Sequence, residues 1–201
     1  IAKLSGGTWS FPDSANAPAQ GSSIPPNSAV TRPQFVFDAA NQLIHILTVS
    51  ATPNFFLRYC AYNIGTDTYG SVVTSTIPAN GFRMQLRSDG DLVVAHNGIA
   101  LGDALKYVII SAGAFGSTGT LEAGSANVFY VPLDVVLDSG DLAHIGYNRI
   151  PAANLPNPTV SLKYITLDSG NTPGSPAVLN SATGSLTSDW LSPGLIWVAQ
   201  D

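Results

Sequence analysis

Residues 136–163, VLDSGDLAHIGYNRIPAANLPNPTVSLK, read as a strand, a tight turn at Asp138-Ser139-Gly140, a second strand over 142–148, a loop, and a third strand opening at Leu162-Lys163-Tyr164. Asp hydrogen-bonds its own backbone and Gly supplies positive φ, so the turn is set by backbone chemistry. The flanking Val, Leu, Ile and Tyr residues suit a pleated, half-buried surface.

The same syntax recurs along the chain. The apolar residue that follows each turn is Leu43, Leu92, Leu142 and Leu195. A second marker, Leu-Arg/Lys-Tyr, appears at Leu57-Arg58-Tyr59, Leu105-Lys106-Tyr107 and Leu162-Lys163-Tyr164, with a weaker copy at Ala2-Lys3-Leu4. Both markers repeat at about fifty residues, a period that belongs to propeller blades rather than to solenoids. Each unit divides into four strands: one before the turn, one after it, one carrying Leu-Arg/Lys-Tyr, and a short variable fourth such as 70–76.

On these residues the chain resembles the sialidase-like (BNR-type) β-propeller repeats. Asp138, Gly140, Leu142, His144, Ile145, Tyr147, Leu162, Lys163 and Tyr164 carry the pattern, and Gly6-Gly7-Thr8-Trp9 completes it near the N-terminus. The resemblance spans nearly the whole chain but is specific to the blade, not to a reaction. The Asp-box of sialidases, Ser-x-Asp-x-Gly-x-x-Trp, is absent; Ser88-Asp89-Gly90 echoes it only in part and lacks the Trp.

The resemblance implies an all-β propeller forming one domain over 1–201. Its blades fall at about 34–77, 82–122 and 127–179. A fourth combines 187–201, an inner half, with 1–10, an outer half. Closing the ring this way removes exposed sheet edges. The alternative is a fragment of a larger propeller. The chain begins at Ile1 rather than Met, in keeping with a processed protein or a piece of a longer one. Residues 11–33, rich in Pro, Ser, Ala and Asn, read as an ordered crossing loop.

Composition narrows function. Only 10% of the 201 residues are charged, against about a quarter in ordinary domains. The net charge of −5 and pI near 4.9 give no footprint for nucleic acid. No apolar run approaches a membrane span, no signal-peptide pattern is read in these residues, and there is no Asn-x-Ser/Thr sequon. The one cysteine, Cys60, has no partner for an internal disulfide and reads as a small buried hydrophobe. Few lysines and a single Glu suit a secreted or virion-surface protein.

Positions that repeat in register read as structural. His45 and His144 fill the place held by Val94 and Trp197 elsewhere, a packing position with no second ligand at metal spacing. Arg58, Lys106 and Lys163 read as interblade ion pairs or solvated heads on packed stems. Tyr59, Tyr107 and Tyr164 read as core, and Asp38, Asp89 and Asp138 as turn stabilisers. Functional residues should break the repeat around the mouth of the ring. The candidates are Arg32, Arg83, His96, Asn97, Tyr147, Asn148, Arg149 and Gln200, together with Gln34. His96 is expected to end its strand and point into a loop. Arg, Tyr, Asn and His there can hydrogen-bond and stack a sugar or a peptide.

A catalytic set is harder to assemble. A sialidase requires three Arg residues, a Tyr nucleophile paired with Glu, and an Asp acid. Arg32, Arg83 and Arg149 are available, but Glu122 is the only Glu and sits in a Gly-rich connection. Other glycosidases place two carboxylates about 5–10 Å apart, and Asp103 and Asp134 have no supporting context. No nucleophile elbow, phosphate-binding Gly loop or zinc-binding His-Glu-x-x-His is present.

The leading expectation is a non-enzymatic extracellular or virion-surface module. It would bind a glycan or a cell-surface protein, as part of an assembly such as a phage tail fibre, without metal or cofactor. The alternatives are a sialidase-like glycan-cleaving enzyme and a purely structural propeller that docks other subunits.

Overall fold

A computed structural model describes residues 3–5, 8–10, 33–50, 55–152 and 158–183. Among them there is no α-helix, and the strands form antiparallel sheets joined by hairpins. β1 (Lys3–Ser5) pairs with β2 (Thr8–Ser10), and the expected pairing of 187–201 with 1–10 lies outside the described residues. Sheet one is β3 (Gln34–Asp38), β4 (Leu43–Val49) and β5 (Phe56–Asn63), with β6 (Thr68–Tyr69) and β7 (Val73–Pro78) both pairing with β5. Sheet two is β8 (Gly81–Leu86), β9 (Leu92–Asn97), β10 (Leu105–Ser111) and β11 (Ala114–Glu122). Sheet three is β12 (Val128–Leu137), β13 (Ala143–Pro151), β14 (Thr159–Leu167) and β15 (Ala177–Thr183). These are the three repeat units read from the markers. The fourth strand is not always short, since β11 runs nine residues.

The turn aspartates act as the sequence dictates, but the positive φ expected of Gly140 falls instead on Asp141 (φ 60), as it does on Gln42 (φ 53) in sheet one. The Asp138 carboxylate accepts from Gly140 N at 2.8 Å and Leu142 N at 3.0 Å. Asp38 accepts from Asn41 N at 3.0 Å. Gly90 takes φ +92 in the equivalent turn of sheet two. Asp168-Ser169-Gly170-Asn171 uses the same chemistry between β14 and β15, where the Asp168 carboxylate accepts from Thr172 N at 2.7 Å.

Sheet two is the middle layer. Period-two alternation sends Leu92 and Val94 of β9 toward Leu47, Leu57 and Tyr59 of sheet one. Val93 and Ala95 go toward Val135, Ile145 and Ile165 of sheet three. All six residues of β9 are therefore buried, which is why the strand reads as a run of apolar residues rather than an alternation. The first strands sit side by side, β3 against β8 and β8 against β12. In β12 a bulge between Pro132 and Asp134 adds one residue to the ladder. Val128 and Tyr130 face sheet two on one side of it and Val135 and Leu137 on the other, while Val131 and Leu133 pack with Ile150 and Val160 on the opposite face. The outer face of sheet one is apolar: Ile46, Cys60 and Tyr62 are buried there, and Phe35 and Phe37, paired across from Ile46 and Ile44, are exposed. Cys60 is a free, buried thiol.

Candidate functional site

The interface between sheets two and three is tied by polar side chains. Arg87, at the end of the first strand of sheet two, is buried and reaches the β14–β15 turn. Its Nη2 donates to Asp168 O at 2.9 Å and its Nη1 to Asn171 Oδ1 at 2.9 Å. The Tyr107 hydroxyl donates to Asn171 O at 2.7 Å. Ser88 N donates to Asp141 Oδ1 at 2.9 Å, and the Ser88 hydroxyl to the same carboxylate. Lys163 Nζ lies 2.7 Å from both carboxylate oxygens of Glu122, and the Tyr147 hydroxyl donates to Glu122.

At the corresponding place in sheet one the residue is Asp38, too short and of the wrong sign to reach across. Its carboxylate turns inward, accepting from Asn41 Nδ2 at 2.8 Å and lying 3.7 Å from His45 Nε2. That separation is too long for a hydrogen bond but short enough for attraction. His45 Nδ1 is 2.8 Å from the Tyr59 hydroxyl, and the two rings stack with centroids 5.9 Å apart. The hydrogen bonds from the Asn41 side chain and backbone hold Asp38 below the usual carboxylate range, against the effect of burial and with help from His45. Burial pushes His45 down, opposed by Asp38, and pushes Tyr59 up to about 12, with Cys60 and Asp38 adding to it. At neutral pH the set is thus a carboxylate, a neutral imidazole and a phenol. With Nε2–H turned to the carboxylate, Nδ1 accepts the Tyr59 proton.

Among the described residues Asp38 makes no tie across the interface like that of Arg87, and a cleft of about 420 Å³ stays open between sheets one and two. Its polar groups are Asp38, Asn41, His45, Tyr59 and Ser71, set among apolar residues that include Leu43, Leu92 and Ile110. Gly113 of the β10–β11 turn, at φ +80, also lines it beside the Tyr59 ring.

The Asp–His–Tyr set itself repeats. In sheet three His144 Nε2 is 3.3 Å from Asp138 Oδ2 and His144 Nδ1 is 2.6 Å from the Tyr164 hydroxyl. Sheet two replaces it with Arg87, Val93 and Tyr107: the ladder register puts Val93, not the Val94 expected from the Leu marker, in the place of the two histidines, and Val94 faces sheet one. The set recurs in two of the three described sheets, in keeping with the packing reading of His45 and His144, and the cleft marks the first interface.

The residues expected at the mouth are placed as follows. Arg32 and Gln200 lie outside the described residues. Arg83 donates from Nε to Leu133 O at 2.7 Å, the carbonyl of the bulge residue, and from Nη1 to Phe82 O at 2.7 Å. His96 does not point into a loop. It is inside β9 and buried, because its parity places it on the sheet-one face beside Phe82 and Lys106. Asn97 is buried and its Oδ1 accepts from Gly81 N at 2.6 Å. Tyr147 and Asn148 are buried, and Arg149 acts electrostatically on Tyr130 and Tyr147. Gln34 contacts the Pro33 carbonyl. The structure thus gathers Tyr147 and Arg149 around Glu122, with Lys163 and Tyr130. It holds Arg83, His96 and Asn97 in β8 and β9 on separate tasks.

Glu122 itself was not legible as a partner: it ends β11 and projects between sheets, giving Lys163 the interblade ion pair expected for that marker. Burial, and then Glu122, push the Tyr147 hydroxyl far above its ordinary value. Asp134 is pushed up by burial, and Asp103 accepts from Ala100 N at 2.8 Å within its turn. No group of three metal-ligating side chains occurs among the described residues. Asn41 and Ser71 were missed. The signal that would have found them is the exchange of Asp for Arg87 at one turn of the repeat.

The same arrangement of sheets is found in solved structures. A mannose phosphorylase from Leishmania mexicana, in complex with phosphate ion, superposes with a TM-score of 0.51 at 13% identity, over 75% of this chain and 52% of that one. A polysaccharide lyase, an ulvan lyase, gives 0.53 at 10% identity, over 74% of this chain and 42% of that one. The same kind of enzyme bound to a glucuronate–sulfated rhamnose unit gives 0.51 at 10% identity, again over 74% and 42%. The chain therefore spans about half the length of these proteins, and the likeness is one of fold. No protein-family model matches the sequence, and no curated protein matches it.

Proposed function

We propose that the chain is a carbohydrate-binding module built as a small propeller, with the glycan held in the cleft between sheets one and two. In this reading the three sheets are three blades. The observation that carries this reading is the cleft: a concavity within the range of about 300–1,000 Å³ usual for small ligands, apolar in its walls, with a few convergent polar groups. The solved structures with the same sheets are carbohydrate-active enzymes by name, which supports a sugar as the ligand. The low charge and loop-rich composition support a place on the exterior of a cell or virion.

A cleaving enzyme is the second reading, favoured by one observation. Asp38, His45 and Tyr59 form a connected set able to move a proton. The copy at Asp138, His144 and Tyr164 weighs against it, since a set built into two blades is explained by blade architecture. In the Glu122–Tyr147 pair the tyrosine is buried in the sheet two–sheet three interface and its hydroxyl is held by Glu122, which leaves no exposed nucleophile of that kind.

Titration of the labelled protein with neutral and acidic oligosaccharides, followed by NMR shifts and by release of reducing ends, tests both. Binding that shifts the amides of residues 110–113 without cleavage is expected. Turnover would establish the enzyme reading, and the absence of any binding would end both.

A further inference from the structure

We infer that the cleft selects an uncharged sugar unit and rejects uronic, sialic and sulfated ones; this rests on the glycan-binding reading above. The charge inventory of the site decides it. Among the described residues the cleft is lined by one carboxylate, Asp38, and by no Arg or Lys. His45, held neutral by burial, supplies no cation at neutral pH. Two of the described arginines nearest sheet two are engaged elsewhere: Arg83 on Leu133 O and Phe82 O, and Arg87 on the β14–β15 turn.

What the cleft does offer suits hydroxyl groups. A carboxylate accepts about four hydrogen bonds. Asp38 uses one on each oxygen for Asn41, leaving capacity for sugar hydroxyls. Ser71 can donate or accept, the Tyr59 oxygen can accept while its proton is held by His45, and the partly exposed Leu43 and Val73 present an apolar wall to a ring face. An anionic group brought within about 5 Å of Asp38 meets repulsion that, at the effective dielectric of a protein surface, lowers affinity by roughly a hundredfold before salt screening. The net charge of −5 opposes approach of the same ligands from a distance.

Calorimetry on the whole chain with short manno-, gluco- and galacto-oligosaccharides, and with oligogalacturonates and sialyllactose, tests the inference. A neutral probe is expected to bind at least about tenfold more tightly than every acidic one. Asp38→Asn should narrow that gap, while Asp138→Asn, the same change in sheet three, should leave it intact. Ala112→Lys adds a cation at the exposed β10–β11 turn and should shift preference toward the acidic probes, which keeps the test alive if Asp38→Asn does not fold. Equal or tighter binding of acidic sugars in the cleft would overturn the inference while leaving glycan binding in place. Binding of neither class would overturn the glycan-binding reading itself, and the inference with it.

Discussion

Acidification should destabilise this protein through His96, well above the pH at which carboxylates titrate. The imidazole is buried, and neither ring nitrogen has a hydrogen-bond partner of good geometry among the described residues. Burial is the main cause that pushes its pKa from 6.5 to about 4; the backbone of Asn97 opposes this and Lys106 across the ladder reinforces it. Because the folded value lies below the unfolded one, the native ring stays neutral while the unfolded ring takes up a proton. The stability is therefore full above about pH 6.5 and is lost progressively as pH falls toward 4. The gap corresponds to about 3 kcal/mol, at about 1.4 kcal/mol per pH unit. Out of the 5–15 kcal/mol typical of a domain, that is a large share. His45 is displaced in the same direction, so the informative quantity is the difference between two proteins. Urea unfolding from pH 7.5 to 4 should show a steep loss in the parent chain and a loss smaller by about 3 kcal/mol in His96→Leu. NMR titration of the parent should find the His96 ring unprotonated at pH 5. A ring that titrates near 6.5, or a His96→Leu protein with the parent's slope, would refute the burial reasoning.

Other perturbations follow from the sheet interfaces. Lys163→Met leaves the part-buried Glu122 without its cation and should cost about 1–3 kcal/mol in denaturant unfolding. Pairing it with Glu122→Gln should cost less than the two singles combined. Arg87→Ala removes the hydrogen bonds that hold the β14–β15 turn and should lower stability by about 2–3 kcal/mol, with faster amide exchange at residues 168–172. A Cβ at Gly119 would overlap the Tyr107 ring, so Gly119→Ala should displace that ring from Asn171 O and cost about 1–3 kcal/mol by thermal melt. The Cys60 thiol, buried and pushed up by that burial, should react with a thiol reagent only at the rate at which sheet one opens.

Much of each antiparallel sheet was legible in the sequence because turns and strand periodicity are local. Asp138-Ser139-Gly140 specifies its hairpin without reference to anything distant, and the Leu-Arg/Lys-Tyr marker falls on a third strand in all three sheets. The candidate site was not legible in that way. Whether Asp38 faces its own His45 or a neighbouring sheet depends on the length and charge of a side chain spanning two blades. The contrast with Arg87 has meaning only once the interfaces are superposed. His96 was misplaced for a related reason: beside Asn97 and Gly98 it looks like a strand end, while the cross-strand pairs Phe82 and Lys106 fix it in the interior. Arg83, read as a ligand-binding residue, is occupied by a carbonyl that only the bulge in β12 exposes.

That bulge also bears on how such a chain tolerates change in length. A single inserted residue in a regular strand turns every preceding side chain over, and would swing Val128 and Tyr130 out of the core they share with sheet two. By looping out one residue and giving its carbonyl to Arg83, β12 absorbs the extra length at one point and keeps both flanks in phase. The hairpin thus behaves as a reading frame with its own correction. Copies of this unit can gain or lose a residue at the correction point without losing the interface, so length variation between blades can be neutral while the substitution of Arg83 is not.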